Sequence, residues 1–264
     1  MKWKSWDPIP LTIPDPARHG ADIIVDAIAP LIVSASRSTD IPAFYGDWFM
    51  ERLRAGYVKW KSPFGGNPVY VSFAKTRVFA FWSKNPAPFL PHLETLDRKG
   101  YRYYFLFTLN DYDAESLEPN VPPVDERIET FIRLSRRIGK GRVVWRFDPL
   151  VLSDRITVED LLEKVRYIGD QIAPFTERLV FSFVDVEKYA KVQRNLRAGG
   201  VPVPGNSRMG KLPGSAPGLP CSTGSGDLLS VPVRKRGISC VTALGGGSVS
   251  VMTCWQRNSA MMTR

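Results

Sequence analysis

The sequence predicts an α/β fold for residues 31–198, an incomplete (β/α) TIM-like barrel of about five βα units with one inserted β-hairpin. Three observations predict it. Short runs rich in Val, Ile, Phe and Tyr alternate with amphipathic patterns of helical period. The runs are apolar at successive positions, as in parallel strands covered by helices. Each run also ends in polar residues, which is where α/β barrels collect their chemistry. No Gly-x-Gly-x-x-Gly and no Walker loop follows any run, so nucleotide-binding folds lack support.

Residues 1–30, with Pro8, Pro10, Pro14 and Pro16, read as an irregular Pro-rich segment. Leu31–Ser36 is the first strand. A helix follows over Ala43–Ala55, with Phe44, Trp48, Phe49 and Leu53 on one face, and Gly56 stops it. Tyr57–Trp60 and Val69–Phe73 flank a Pro/Gly turn and read as the inserted hairpin. Val78–Trp82 is a strand, Ala87–Lys99 a proline-interrupted helix ended by Gly100, and Tyr103–Phe107 a strand. Asp125–Ile138 is a helix whose inner stripe is read as Ile128, Phe131, Ile132 and Ser135. Arg142–Trp145 leads to a helix over Thr157–Ile172, and Leu179–Phe183 to one over Glu187–Leu196. Right-handed crossovers are expected between the strands.

Candidate binding residues are those at the strand ends: Arg37 and Asp40, Lys84 and Asn85, Asn110, Arg146 and Asp148, and Asp185. Arginine and lysine beside carboxylates can hold an anionic or polar ligand and keep a carboxylate ionised. Capping is the competing reading for Asp40, which precedes Ile41-Pro42, and for Asn85, which precedes Pro86. Asp148 before Pro149 is equally a turn former. Arg146 lies in a strand between Trp145 and Phe147 and needs a buried partner or a ligand. Arg146 with Asp148 is therefore the leading pair. His19 and His92 are isolated and read as surface or satisfied core groups. No catalytic role and no metal-ligand set is assigned.

The most apolar run, Ile23–Val33, is broken by Asp26 and Pro30 and is too short for the roughly 30 Å of a bilayer core. No signal peptide is read at the start, so a cytoplasmic protein without a membrane partner is expected. Of the 264 residues, 36 are Lys or Arg and 26 Asp or Glu, a net +10. That charge is unevenly spread. Residues 199–264 hold seven bases against one acid, a net +6, together with 12 of the 21 glycines, all three cysteines and a single aromatic, Trp255. The domains are accordingly read as 1–30, 31–198 and 199–264, the last a Gly/Ser/Pro/Arg-rich irregular tail.

Ser34-Ala35-Ser36-Arg37-Ser38-Thr39-Asp40-Ile41-Pro42-Ala43-Phe44-Tyr45, Phe81-Trp82-Ser83-Lys84-Asn85-Pro86-Ala87-Pro88, Leu117-Glu118-Pro119-Asn120-Val121-Pro122-Pro123 and Val144-Trp145-Arg146-Phe147-Asp148-Pro149-Leu150 together resemble an uncharacterised bacterial family, domain of unknown function 1848. Phe181–Asp185 and Lys191–Leu196 extend the resemblance over about residues 30–198. It implies a C-terminal cysteine cluster similar to the Cys-x-x-x-Cys-x-x-Cys of radical S-adenosylmethionine enzymes, in which three thiolates hold a [4Fe–4S] cluster. Cys221, Cys240 and Cys254 lie 19 and 14 residues apart and do not reproduce that spacing. The cluster and S-adenosylmethionine are thus expected only of an intact member, and this chain is expected to hold neither and to be inactive as an iron–sulfur enzyme.

The tail reads as translation in a shifted frame. Met and Trp have single codons, and residues 252–262 read one base earlier permit an acid-rich, apolar-periodic segment of the kind the tail lacks. A shifted tail leaves the last strand of the domain with an unpaired edge, which favours aggregation. The competing readings are a metal-free barrel that binds an anionic small molecule, and a basic tail that binds nucleic acid electrostatically. Against the latter, only Arg234-Lys235-Arg236 are clustered among the tail's bases.

Overall fold

The computed structural model describes residues 8–36, 38–61, 66–153, 155–183, 229–234, 237–238 and 242–243. Two compact units make up the chain, Met1–Leu106 and Phe107–Arg264. Strands and helices alternate in both, in a mixed α/β architecture with parallel strand pairs.

In the first unit the proline-rich segment is not irregular. It forms β1 (Ile9–Pro14) and β2 (Asp22–Ile28), antiparallel from Ile9↔Ala27 to Pro14↔Asp22. The prolines are tolerated because β1 is an edge strand, where a missing N–H need not break the ladder. After β3 (Ile32–Ser34) come α1 (Ile41–Phe44) and α2 (Gly46–Ala55), then β4 (Tyr57–Trp60) and β5 (Val69–Ser72). The expected hairpin is present, with Tyr57 opposite Ser72 and Trp60 opposite Val69, and it extends β1 and β2 into a sheet of order β1-β2-β5-β4. β3 runs parallel to β6 (Val78–Ser83). A 3-10 turn over Ala87–His92 leads into α3 (Leu93–Arg98), and Pro91 explains why the first stretch is not α-helical. Phe49 of α2 packs its ring on Phe79, Phe81 and Phe89, with centroids 5.2, 5.4 and 5.8 Å away. Edge-to-face contacts of this kind make the centre of the unit an aromatic core.

β7 (Arg102–Thr108) carries the chain into the second unit. There follow α4 (Val124–Ile138), β8 (Val143–Leu150), α5 (Val158–Ile172) and β9 (Arg178–Phe183). On α4 the buried stripe includes Ile128, Phe131 and Ser135 as expected. It continues through Arg127, Leu134 and Ile138, whereas Ile132 is only half-buried. α5 begins with a capping box: Thr157 accepts from the Asp160 amide at 3.2 Å, and Asp160 accepts from the Thr157 amide at 2.8 Å.

β8 and β9 are parallel, with Trp145↔Leu179, Arg146↔Val180 and Phe147↔Phe181 in register, after which the pairing shifts to Leu150↔Phe183. The irregularity falls on Asp148 and Pro149, which are joined by a cis peptide bond. β9 does not end the pairing. β10 (Leu229–Arg234) lies antiparallel along it from Leu229↔Phe181 to Pro232↔Arg178, so the edge expected to be open is occupied from within the tail. Gly237–Ile238 and Thr242–Ala243 form two short strands against β10. The helix expected over Glu187–Leu196 lies outside the described residues.

Candidate functional site

A cluster of polar groups in the second unit lies at the carboxyl end of β8. That strand is buried on both faces: Trp145, Arg146 and Phe147 are 1%, 9% and 0% exposed. An arginine at such a position must be neutralised locally. Arg146 Nη2 donates to Asp148 Oδ2, and Ser182 Oγ of β9 donates to Asp148 Oδ1. The shift in strand pairing at Asp148 turns that residue off the regular ladder, the usual use of a β-bulge beside a site.

The peptide of Asp148 is held as firmly as its side chain. Asn110, which is fully buried, accepts the Asp148 amide at 2.9 Å through Oδ1. Its Nδ2 donates to the Asp148 carbonyl at 3.2 Å and to Glu118 Oε1 at 3.0 Å. On the other side of the turn, the Tyr112 hydroxyl donates to the Pro149 carbonyl at 2.8 Å and accepts the Val151 amide at 3.0 Å. Burial pushes the Tyr112 phenol well above its ordinary range, with Glu118, Glu115 and Asp148 adding to the effect, so it stays neutral. The result is a preorganised ion pair on a rigid strand end, ringed by satisfied donors and acceptors. Such an array has the chemistry to orient a polar ligand.

Arg127 is the group that sequence reading does not reach. Its side chain is fully buried on α4, where Nε donates to the Pro122 carbonyl at 2.8 Å and Nη2 to Asp113 Oδ1 at 3.0 Å. Nη1 lies 3.5 Å from Glu118 Oε2. Asp113 also accepts the Val124 amide at 2.7 Å, so the loop between β7 and α4 is tied down at the helix start. A signal was present in the sequence, since Arg127 stands four residues before Phe131 and seven before Leu134 on the inner stripe.

In the first unit, Asp40 caps α1 as the alternative reading has it. Oδ1 accepts the Ala43 amide at 3.0 Å, and Oδ2 accepts the Lys84 amide at 2.7 Å. Burial raises the Asp40 carboxyl above its ordinary 3.8, against the hydrogen bonds from Lys84, Ser83 and Ala43 that favour its charge. Ser83 Oγ accepts the Asn85 amide at 3.0 Å, and Asn85 Oδ1 accepts the Ala87 amide at 3.2 Å, so Asn85 also shapes a turn. His92 is 3.4 Å from Asp47 and stacks obliquely on Phe89, in keeping with a satisfied core histidine.

The structure thus gathers the strand-end residues into two clusters. Asp40, Lys84 and Asn85 share the first unit, while Asn110, Arg146 and Asp148 share the second. Arg37 and Asp185 lie outside the described residues. A shallow cleft of about 300 Å³ in the second unit is lined by Asp111, Glu115, Asp160, Glu163, Arg155, Lys164 and Tyr167. Burial raises the Asp111 carboxyl there; Asp113 and Glu115 push it the same way and Lys164 opposes.

Cys221, Cys240 and Cys254 all lie outside the described residues, and among the described residues there is no group of three or more His, Cys, Asp or Glu placed to bind a metal ion. Among the described residues no helix is long and apolar enough to cross a membrane.

Comparison with protein families matches residues 32–213 to a domain of unknown function (DUF1848). The match runs past residue 198, where the composition changes, to residue 213. No curated protein and no solved structure matches the chain.

Proposed function

This chain belongs to the domain of unknown function (DUF1848) family, and on that footing we propose that it binds a small anionic molecule at the carboxyl ends of β8 and β9 without an iron–sulfur cluster. The observation that carries the reading is the Arg146–Asp148 pair, whose side chains are 10% and 16% exposed on a strand that is otherwise apolar. Burying an ion pair costs several kcal/mol per ion in desolvation, and apolar residues of similar size often stabilise a fold more. A pair kept at a strand end, with Ser182 and Asn110 devoted to holding it, is accounted for by binding. Arginine supplies the planar, always-charged group suited to carboxylate and phosphate.

The βα units are taken on this reading as part of an incomplete (β/α) barrel, in which strand-end residues form the binding face. Parallel pairing of β3 with β6 and of β8 with β9 supports it. The absence of a cluster rests on the cysteine spacing in the sequence, and a frame shifted within residues 199–264, beyond the end of the family match at residue 213, accounts for that spacing. The nucleotide sequence of the gene checks the frame directly. If the alternative frame meets early stops, or encodes no Cys-x-x-x-Cys-x-x-Cys, the shift is refuted.

Titration of the full chain with inorganic phosphate, followed by calorimetry, tests the binding. Saturable binding that weakens at least about tenfold in Arg146→Lys, which keeps the charge but loses the fork, is the expected result. No saturable binding to the unsubstituted chain overturns the reading. Anaerobic reconstitution with iron and sulfide is expected to yield no cluster absorbance, and a stoichiometric cluster would refute the second half of the proposal.

A further inference from the structure

The geometry points to Glu118 and Arg127 as positioning residues that fix Asp148 through Asn110, a role that rests on the binding reading above and names how that site is kept in place. Asn110 reads the backbone N–H and C=O of Asp148 with both ends of its amide, and that works in one orientation of the amide only. Rotated by half a turn, Nδ2 would face the Asp148 N–H and Oδ1 its carbonyl, donor against donor and acceptor against acceptor. The Asp148 N–H and C=O already favour that orientation, and a further partner strengthens the preference.

Glu118 is that partner. An ionised carboxylate can only accept, so Oε1 at 3.0 Å draws the Nδ2 end toward itself and leaves Oδ1 for the Asp148 amide. Glu118 is a loop residue with its side chain 8% exposed, and a carboxylate so placed must have its charge offset. Arg127 offsets it from 3.5 Å and is itself anchored by Asp113 and the Pro122 carbonyl. The order of command therefore runs from α4 to the loop, from the loop to Asn110, and from Asn110 to the Asp148 peptide, whose side chain holds Arg146.

A purely structural role would make Glu118 matter to the whole unit equally. A positioning role makes it matter first at one peptide. The test uses Glu118→Gln, whose side chain has the same size but both donates and accepts and carries no charge, so its added hold on the amide orientation is weakened. Backbone amide exchange in the full chain, measured by NMR, is expected to speed up about tenfold or more at Asp148 while the amides of Trp145 and Phe147 keep their protection. Phosphate binding by the same variant is expected to weaken at least about fivefold.

Equal acceleration at Asp148, Trp145 and Phe147 shows general loosening and overturns the proposal, as does unchanged exchange at Asp148. Arg127→Lys, in case it folds poorly, is not needed for either outcome. If the unsubstituted chain binds no phosphate, the binding reading falls alone, because the exchange measurement still decides whether Glu118 positions Asp148.

Discussion

Asn110 and Asp148 grip each other across 38 residues of sequence, the amide of one side chain closing on both backbone polar groups of one residue. Replacing Asn110 by Leu keeps the volume and leaves the Asp148 N–H and C=O buried without that partner. The expected loss is about 2–4 kcal/mol, read from urea denaturation. A loss under about 1 kcal/mol would show that water or a shifted side chain replaces the amide.

Asn110→Asp gives a sharper test, because its effect depends on pH. The introduced carboxyl is buried and faces Glu118 and a carbonyl, so its folded pKa lies above its unfolded one. The folded state then binds the extra proton, and stability relative to the unsubstituted chain falls as pH rises through and above the ordinary carboxylate range. Stability curves at pH 4 and pH 8 are expected to show the larger deficit at pH 8.

Asp40→Ala removes the cap of α1 and also the acceptor for the Lys84 amide. A helix cap is worth about 0.5–2 kcal/mol, and the second unpaired amide adds about 1–3 kcal/mol. Asp40→Asn retains one oxygen acceptor and is expected to cost less. The raised folded pKa of Asp40 means its own contribution diminishes as pH climbs above 3.8, so Asp40→Asn should flatten that part of the stability profile.

Gly46→Ala tests a close approach. A Cβ at that position would stand 2.8 Å from His92 Nε2 and 3.3 Å from a Phe89 ring carbon. The substitution is expected to cost about 1–3 kcal/mol through forced repacking. His92→Ala should relieve most of it, so the thermal melts of the double variant are expected to show a loss well below the sum of the two singles.

Thr157→Ala dismantles the capping box of α5, with an expected loss of about 1 kcal/mol at neutral pH. The hydrogen bonds from Thr157 hold the Asp160 carboxyl below its ordinary 3.8. A lowered folded pKa means this stabilisation is present above the unfolded value and fades as pH falls through the folded one. The gap between the variant and the unsubstituted chain should accordingly narrow in acid, without closing because Thr157 Oγ still accepts the Asp160 amide there, measured as melting temperature against pH.

Much of the α/β pattern was legible because burial leaves a direct mark on sequence. β6 and β8 are apolar at successive positions, α4 repeats at helical spacing, and Gly56 and Gly100 stop helices with φ of +81° and +74°. β1 escaped notice because its prolines advertise irregular chain, and only the partner strand makes them admissible. Asp40 was legible as a cap from the proline that follows it. Arg127 and Glu118 were not read as partners, since nine residues of loop and helix separate them and a charged residue on a helix is ordinarily read as facing water. What joins Asn110 to Asp148 is equally invisible until β8 and the loop after β7 come together.

The burial of Arg127 also decides which solution conditions can reach the loop it ties down. Dissolved ions screen charges that face water, so salt should loosen a surface pair such as Arg54–Glu51, whose side chains are 71% and 58% exposed. Arg127, at 0%, is beyond that screening, and Glu118 nearly so. The Arg127–Glu118 contact at the loop between β7 and α4 is therefore shielded from changes in ionic strength, whereas Asp113, 36% exposed, stays open to screening.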